Sequence, residues 1–313
     1  MMDSEQIKRN TQEIVTEEEL DSLLKKKKSS ITYCGYEVSG PVHIGTLVAI
    51  NKQIDFQQAG LKVKVLLADL HTYLNRKGDE KFIEEMIEYW KNSLNALGLK
   101  AEFVLGTEFQ FDKEYIHDVL SLALNSTMNR ALRSMQEIAR DVEHARVSQV
   151  IYPLMQIADI KALDVDIAHG GMEQRKIHML ARELLPEIGH EKPVCIHTPL
   201  LCSLQGPETK MSSSMPETMI KVEEKPEDIK SKISKAYCPP EKEGNPILQI
   251  CELILFPKFG KMEIKRPDKF GGNVEFTSYE ELENSYLDKN LHAADLKNSV
   301  AEALIELLEP VRG

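Results

Sequence analysis

Between residues 30 and 109, three short runs of β-branched and apolar residues alternate with stretches of helical periodicity, which leaves few architectures open. "SITYCGY" (30–36) reads as a strand, and "SGPVHIGTLVAINKQIDFQQAG" (39–60) as a turn and a helix stopped by Gly60. "KVKVLLADL" (62–70) reads as a second strand, nearly continuous in apolar residues toward its end, as a strand buried on both faces should be. Phe82, Met86, Trp90, Leu94 and Leu97 share one face of a long helix ending at Gly98, and "AEFVLGTEF" (101–109) supplies a third strand. Strand–helix–strand succession builds a parallel sheet with helices on both sides, so the fold class is α/β.

The rest of the chain sets the domain organisation. From Lys113 to Arg146 the pattern is helical and polar, without a strand, and reads as a helical insertion (about 113–146) between two halves of the sheet. "ALDVDIAHGG" and "KPVCIHTPLL" return to strand, with the helix "MEQRKIHMLARELLPEIG" between them. Thr16 and Glu19 form a capping box for a short helix through Leu24. Beyond Met219 the texture changes to Lys- and Glu-rich helical segments. Ser278 with Glu281 caps one of these, and Leu296, Val300, Leu304 and Leu308 line a final helix expected to stop at Pro310. Two domains are expected: residues 1–219, carrying the sheet, and residues 220–313, small and α-helical.

Composition narrows the function. No apolar run approaches the roughly 18 residues of a membrane span, and "MMDSEQIKRN" has no signal-peptide character. Five cysteines without a CxxC pair suit reduced thiols in a cytoplasm and argue against zinc. The net charge of -11 disfavours general nucleic-acid binding. Two local basic runs, "LKKKKSS" (24–30) and "PKFGKMEIKRPDKF" (257–270), fit either solvated faces or phosphate contacts.

Two stretches carry candidate chemistry. "GYEVSGPVHIGT" (35–46) is a glycine-punctuated turn between a parallel strand and its helix, where an open α/β sheet binds nucleotides. It is neither GxGxxG nor a P-loop. His43 would stand in the first helical turn, able to donate to a phosphate; alternatively Gly40 and Pro41 merely shape a turn. The second stretch, "GPETKMSSSMPET" (206–218), is a loop on its Gly, Pro and Ser content. It is either a plain connection or a set of donors for phosphate, with Lys210 as a point charge.

Taken together, a His-Ile-Gly turn after the first strand and a Lys-Met-Ser-Ser-Ser loop after the last resemble the signature pair of class I aminoacyl-tRNA synthetases. "YCGYEVSG", "LLADLHTYLN", "GTEFQ", "VIYPLMQIADI", "HGGMEQRKIHMLARELLP", "KRPDKFGG" and "LHAADLKN" extend the resemblance over essentially the whole chain, and to the archaeal and eukaryotic-type tyrosyl branch. The resemblance implies a Rossmann-like catalytic domain followed by an anticodon-binding domain. It also implies ATP with Mg2+ as substrate, no tightly bound metal, tRNA(Tyr) and L-tyrosine as partners, a homodimer, and a cytoplasmic location.

The same resemblance assigns residues. Tyr33 and Asp159 are expected on the substrate's phenol hydroxyl, and Tyr152, Gln156 and Gln174 on its ammonium. Leu66, Ala68, His71, Phe109 and Leu163 would shape the ring slot. By periodicity alone Tyr152 and Gln156 would be a core helix face and Asp159 a solvated charge. ATP is expected at Gly35, Glu37, His43, Gly45, Lys210, Met211, Ser212, Ser213 and Ser214. Of these His43, Gly45, Lys210, Ser212 and Ser213, with Thr46, would act in catalysis. The family's first signature usually ends in a second histidine; Thr46 stands there and offers a shorter donor. For tRNA the resemblance points to Arg133 and Arg175 at the acceptor end and to Phe270, His292 and Asp295 at the first anticodon base; their plain alternatives are surface salt bridges, a loop anchor and a helix cap.

Overall fold

The computed structural model describes residues 3–136, 146–208, 211 and 215–313, with the side chain of Phe270 also outside that description. In chain order its first part comprises α1 (Ser4–Lys8), β1 (Glu13–Val15), α2 (Glu17–Lys26), β2 (Ile31–Tyr36), α3 (Ile44–Gln58), β3 (Lys62–Leu67), α4 (Asp69–Leu74), α5 (Glu80–Ala96) and β4 (Glu102–Leu105). There follow α6 (Lys113–Leu124), α7 (Met128–Ser134), α8 (Val147–Ala162), β5 (Ile167–Gly171), α9 (Arg175–Leu184) and β6 (Val194–Thr198). The six strands form one sheet in the order β1-β6-β5-β2-β3-β4. Every pairing is parallel except that of β1, which runs antiparallel along β6 and sets Glu13 opposite His197.

Apolar continuity explains the central strands. All five residues of β6 are buried, as are Val63, Val65, Leu66 and Leu67 of β3, so both faces of each are covered. From β2 the chain builds outward through β3 and β4, then returns through α6, α7 and α8 to lay β5 on the other side of β2. The carboxyl ends of β2 and β5 therefore flank the point where strand order reverses, the place where an open α/β sheet receives its ligand. A core containing Tyr33, Leu66, Tyr152, Ile157, Ala168 and Cys195 fills this region, and α6, α7 and α9 each pack on α8.

Several expectations are revised. β3 ends at Leu67, and "ADL" opens α4 instead of closing the strand. The cause is Asp69, whose carboxylate accepts the Leu70 N–H at 2.9 Å and the Thr107 hydroxyl at 2.5 Å, a turn chemistry that stops a ladder. β4 likewise gives way after Leu105 to a single 3-10 turn. β1 was not foreseen, since three residues carry no readable alternation. The expected insertion contains α6 and α7, and its residues 137–145 lie outside the described residues.

The chain divides into two compact units, one made of Met1–Ser39, Lys52–Lys91 and Leu99–Pro199, the other of Gly40–Asn51, Asn92–Gly98 and Leu200–Gly313. All six strands belong to the first. Residue 219, the expected boundary, lies within the second unit. There the Leu204 N–H bonds Thr218 O at 3.0 Å and the Ile44 N–H bonds Ile220 O at 2.9 Å, so backbone on both sides of 219 is knitted together.

The second unit holds α10 (Pro226–Lys235), α11 (Pro246–Ile250), α12 (Phe256–Phe259), a ribbon of β7 (Met262–Ile264) and β8 (Val274–Phe276), α13 (Tyr279–Leu287) and α14 (Ala293–Arg312). Ser278 caps α13 as expected, accepting from the Glu281 N–H at 3.2 Å. The ribbon departs from the all-helical expectation, its strands being three residues each. α14 runs on through Pro310 to Arg312. A proline in a last turn removes one hydrogen bond only, and the Gly313 N–H still closes on Glu309 O at 3.2 Å. Within the basic run 257–270, Lys261 pairs with Glu275 at 2.9 Å and Lys265 with Glu302 at 3.0 Å.

Candidate active site

Asp159 organises one end of the site in the first unit. It lies on α8 with no exposure to solvent, so it is not the solvated charge that periodicity implied. Its Oδ1 accepts from Tyr115 Oη at 2.8 Å and from Gln110 Nε2 at 2.7 Å, whereas its buried Oδ2 has no hydrogen-bond partner. Burial pushes the carboxyl above its ordinary value, opposed by His71, Gln110 and Tyr115. Tyr33, on β2, is buried beside it, and its phenol is raised by burial first and by the Asp159 charge second. The expected pair is thus in one electrostatic neighbourhood, with Asp159 held by two donors the sequence reading did not single out.

The walls and the opposite end come from the same elements. Leu66 near the end of β3, Ala68 at the cap of α4 and Leu163 after α8 are buried in this core, and Phe109 packs against it. His71 is buried on α4, with its ring edge-on to Tyr152 at a centroid distance of 4.6 Å. Gln156 donates to Gln174 at 3.0 Å, so two of the three side chains expected at the ammonium are directly joined. Tyr152, the third, has its phenol raised by burial first and by the Glu37 charge second; Glu37 accepts from Asn75 at 2.6 Å and pairs with Lys77. Acceptor oxygens and phenols in this density suit an ammonium group. Gly35 is exposed on β2, and a Cβ there would meet Leu66 and Tyr33 only at ordinary contact distance.

Part of the phosphate signature is described in the second unit. His43 immediately precedes α3, and its Nδ1 accepts the Gly45 N–H at 3.1 Å. That bond leaves the ring proton on Nε2, a donor. Burial lowers the His43 pKa to about 4, so the ring is neutral at physiological pH. A Cβ on Gly45 would stand 2.9 Å from His43 Cε1 and 3.2 Å from Met211 Sδ, so the two signatures meet at a point only glycine fits. The Thr46 N–H bonds His43 O at 2.8 Å. Lys210, Ser212, Ser213 and Ser214 lie outside the described residues.

The nucleic-acid candidates are dispersed. Arg175 makes a bidentate ion pair with Glu13, Nε to Oε2 at 2.7 Å and Nη2 to Oε1 at 2.9 Å, and Glu13 also meets His197 Nδ1 at 3.1 Å. Arg133 is exposed in the last turn of α7. His292 is the N-cap of α14, its Nδ1 accepting the Ala294 N–H at 3.1 Å, with Asp295 in the first turn. The side chain of Phe270 falls outside the described residues. Among the described residues no group of three His, Cys, Asp or Glu side chains is placed to hold a metal ion, and no helix is long and apolar enough to cross a membrane.

Gln110 and Tyr115 are the site residues that sequence reasoning missed. A signal existed for Tyr115: with Val119 and Leu122 it forms the buried stripe of α6, and a buried phenol must find a partner. Nothing in "GTEFQ" singles out the Gln110 amide.

Comparison with known proteins identifies the family. The family profile of class I tRNA synthetases (W and Y) matches residues 25–309, and the chain belongs to that family. Within it the resemblance is to the tyrosine branch. The chain is 53% identical over 314 residues to the tyrosine–tRNA ligase of Methanocaldococcus jannaschii, covering 100% of this chain and 99% of the relative. It is 51% identical over 310 residues to that of Methanopyrus kandleri, covering 98% and 95%. A crystal structure of tyrosyl-tRNA synthetase complexed with L-tyrosine from Archaeoglobus fulgidus superimposes with a TM-score of 0.95 at 49% identity, over 98% of this chain and 97% of that one. The Rossmann-like fold of the family is thereby the fold of this chain.

Proposed function

We propose that this chain activates L-tyrosine with ATP, releasing pyrophosphate, and then transfers the tyrosyl group to the 3'-terminal adenosine of tRNA(Tyr). The observation that carries the reading is the buried Asp159 carboxylate, with two donors on one oxygen and the other oxygen unmatched beside Tyr33 and His71. Such an oxygen demands a donor from the ligand, and a phenol supplies one.

In the first step the tyrosine carboxylate, already ionised, attacks the α-phosphate of Mg-ATP. No protein base is needed, and the rate comes from positioning and from donors aimed at developing charge. Tyr152, Gln156 and Gln174 hold the ammonium. His43 Nε2–H is one donor for phosphate; Lys210 and the serines 212 to 214 are assigned to the departing pyrophosphate by resemblance to the family, as are Gly35, Glu37, Met211 and Thr46 to the nucleotide. In the second step a ribose hydroxyl of the terminal adenosine attacks the carbonyl carbon of the tyrosyl-adenylate; the ester forms, the mixed-anhydride bond breaks, AMP leaves and the hydroxyl proton is released. Arg133 and Arg175 are assigned to the acceptor end, and Phe270, His292 and Asp295 to the first anticodon base, within a functional division at residue 219. The reading includes a cytoplasmic homodimer.

Amino-acid-dependent exchange of pyrophosphate into ATP tests it, with tyrosine, phenylalanine and tryptophan run separately. Exchange with tyrosine alone is expected. Exchange with tryptophan would keep the fold and overturn the assignment of Tyr33 and Asp159.

A further inference from the structure

Around the carboxylate of Asp159 the hydrogen-bond accounts fix which atoms donate and which accept. As an ionised carboxylate Asp159 only accepts, so the group facing its Oδ1 at 2.7 Å is the NH2 of Gln110, and the amide orientation follows. The same NH2 lies 3.4 Å from His71 Nδ1. An NH2 cannot accept, so Nδ1 must, and the ring proton of His71 is carried on Nε2. That Nε2 is buried and has no hydrogen-bond partner, and neither has Asp159 Oδ2. The two atoms are 3.7 Å apart, beyond hydrogen-bond reach of each other. One oxygen placed about 2.8 Å from both satisfies both, if it accepts from Nε2–H and donates to Oδ2. A hydroxyl does both at once; a methyl group, a hydrogen atom or a bare carbonyl does not.

Everything around His71 holds this arrangement. The ring is gripped edge-on by Tyr152 at 4.6 Å, on α4, whose first residue Asp69 is tied to Thr107. Gln110 reaches Asp159 only because residue 106 is glycine, since a Cβ there would stand 2.3 Å from Gln110 Oε1 and 2.8 Å from Asp69 Oδ1. Tyr115 lies on α6 with its single O–H 2.8 Å from the same Asp159 oxygen and 3.0 Å from Met155 O, so the one proton is shared between two acceptors.

We propose that His71 is a specificity residue that donates from Nε2 to the substrate's phenol oxygen, and that Gln110 is a positioning residue that sets both the His71 tautomer and the free oxygen of Asp159. This rests on the tyrosine-activating function argued above. Recognition then reads the hydroxyl twice, as donor and as acceptor, and not merely as a shape at the end of a ring slot.

The analogue 4-aminophenylalanine separates the two halves, because its arylamine still donates to Asp159 but accepts poorly from His71. The kcat/KM of pyrophosphate exchange is measured with tyrosine, phenylalanine and 4-aminophenylalanine for the full chain and for His71→Phe, His71→Gln and Gln110→Met, with melting temperature confirming that each is folded. His71→Phe should lower kcat/KM for tyrosine about tenfold while leaving the other two substrates near their starting values. His71→Gln, which restores an N–H donor, should recover part of the loss. Gln110→Met should lower tyrosine and 4-aminophenylalanine together and spare phenylalanine. Equal losses for all three substrates in His71→Phe would reduce His71 to a wall and overturn the proposal, as would an unchanged tyrosine value. Should the unaltered protein show no tyrosine-dependent exchange, the failure would be of the function itself and visible before any variant is read.

Discussion

A side chain on Gly45 would collide with a ring that Gly45 itself holds. Its N–H fixes His43 Nδ1, and its added Cβ would fall 3.0 Å from that nitrogen and 2.9 Å from Cε1. The ring must then rotate away, and the donor on Nε2 goes with it. Gly45→Ala should therefore slow tyrosine-dependent pyrophosphate exchange by roughly a hundredfold, the cost of misplacing a catalytic group by about an ångström. Tyrosine affinity, which the proposed function assigns to Tyr33, Tyr152, Gln156, Asp159 and Gln174, should be unchanged in equilibrium dialysis. A parallel fall in tyrosine affinity, or an unaffected exchange rate, would contradict the role given to His43.

At the scale of elements, the sequence was legible where burial imposes a period and illegible where local polar chemistry decides. Parallel strands covered on both faces announced themselves as apolar runs, and amphipathic α14 by its stripe. In α5 the buried row is Ile83, Ile87, Trp90 and Leu94, continued by Leu97 just after it, and Phe82, expected on that face, is exposed. Asp69 ended β3 early through hydrogen bonds to Leu70 and Thr107, partners no periodicity predicts. β1, β7 and β8 are too short to alternate. At the site, resemblance named Asp159, but only the fold shows that Tyr115 and Gln110 hold it. His292 joins the two questions, because a helix cap and a nucleic-acid contact ask different things of it. As a cap it contributes about 1 kcal/mol to α14. Serine accepts from the same backbone N–H groups but offers no ring to stack on a base. His292→Ser should then retain the melting temperature of the parent and lose charging efficiency, seen as a raised KM for tRNA in aminoacylation with pyrophosphate exchange intact. If charging survives His292→Ser and only His292→Ala lowers the melting temperature, the histidine is a cap alone.

For the molecule as a whole, α6 poses the remaining problem of burial. One of its faces, Tyr115, Val119 and Leu122, is spent on the core of the first unit. A second stripe, Ile116, Leu120 and Leu124, points to solvent, with Leu120 61% and Leu124 88% exposed. Phe111 before the helix and Met128 at the start of α7 are also exposed, and Val147 is 75% exposed at the start of α8. A helix apolar on two faces is normally buried on both, and a monomer seldom leaves such a row of large side chains in water. The homodimer expected for the family would cover this stripe with its own copy, since a twofold axis lets one apolar row meet itself. Replacing Leu120 and Leu124 together by lysine should convert the dimer to a monomer in sedimentation velocity. Both positions point away from the core, so the melting transition should stay cooperative. A wild-type chain that sediments as a monomer, or a double variant that still dimerises, would place the subunit contact elsewhere and leave the stripe to another partner.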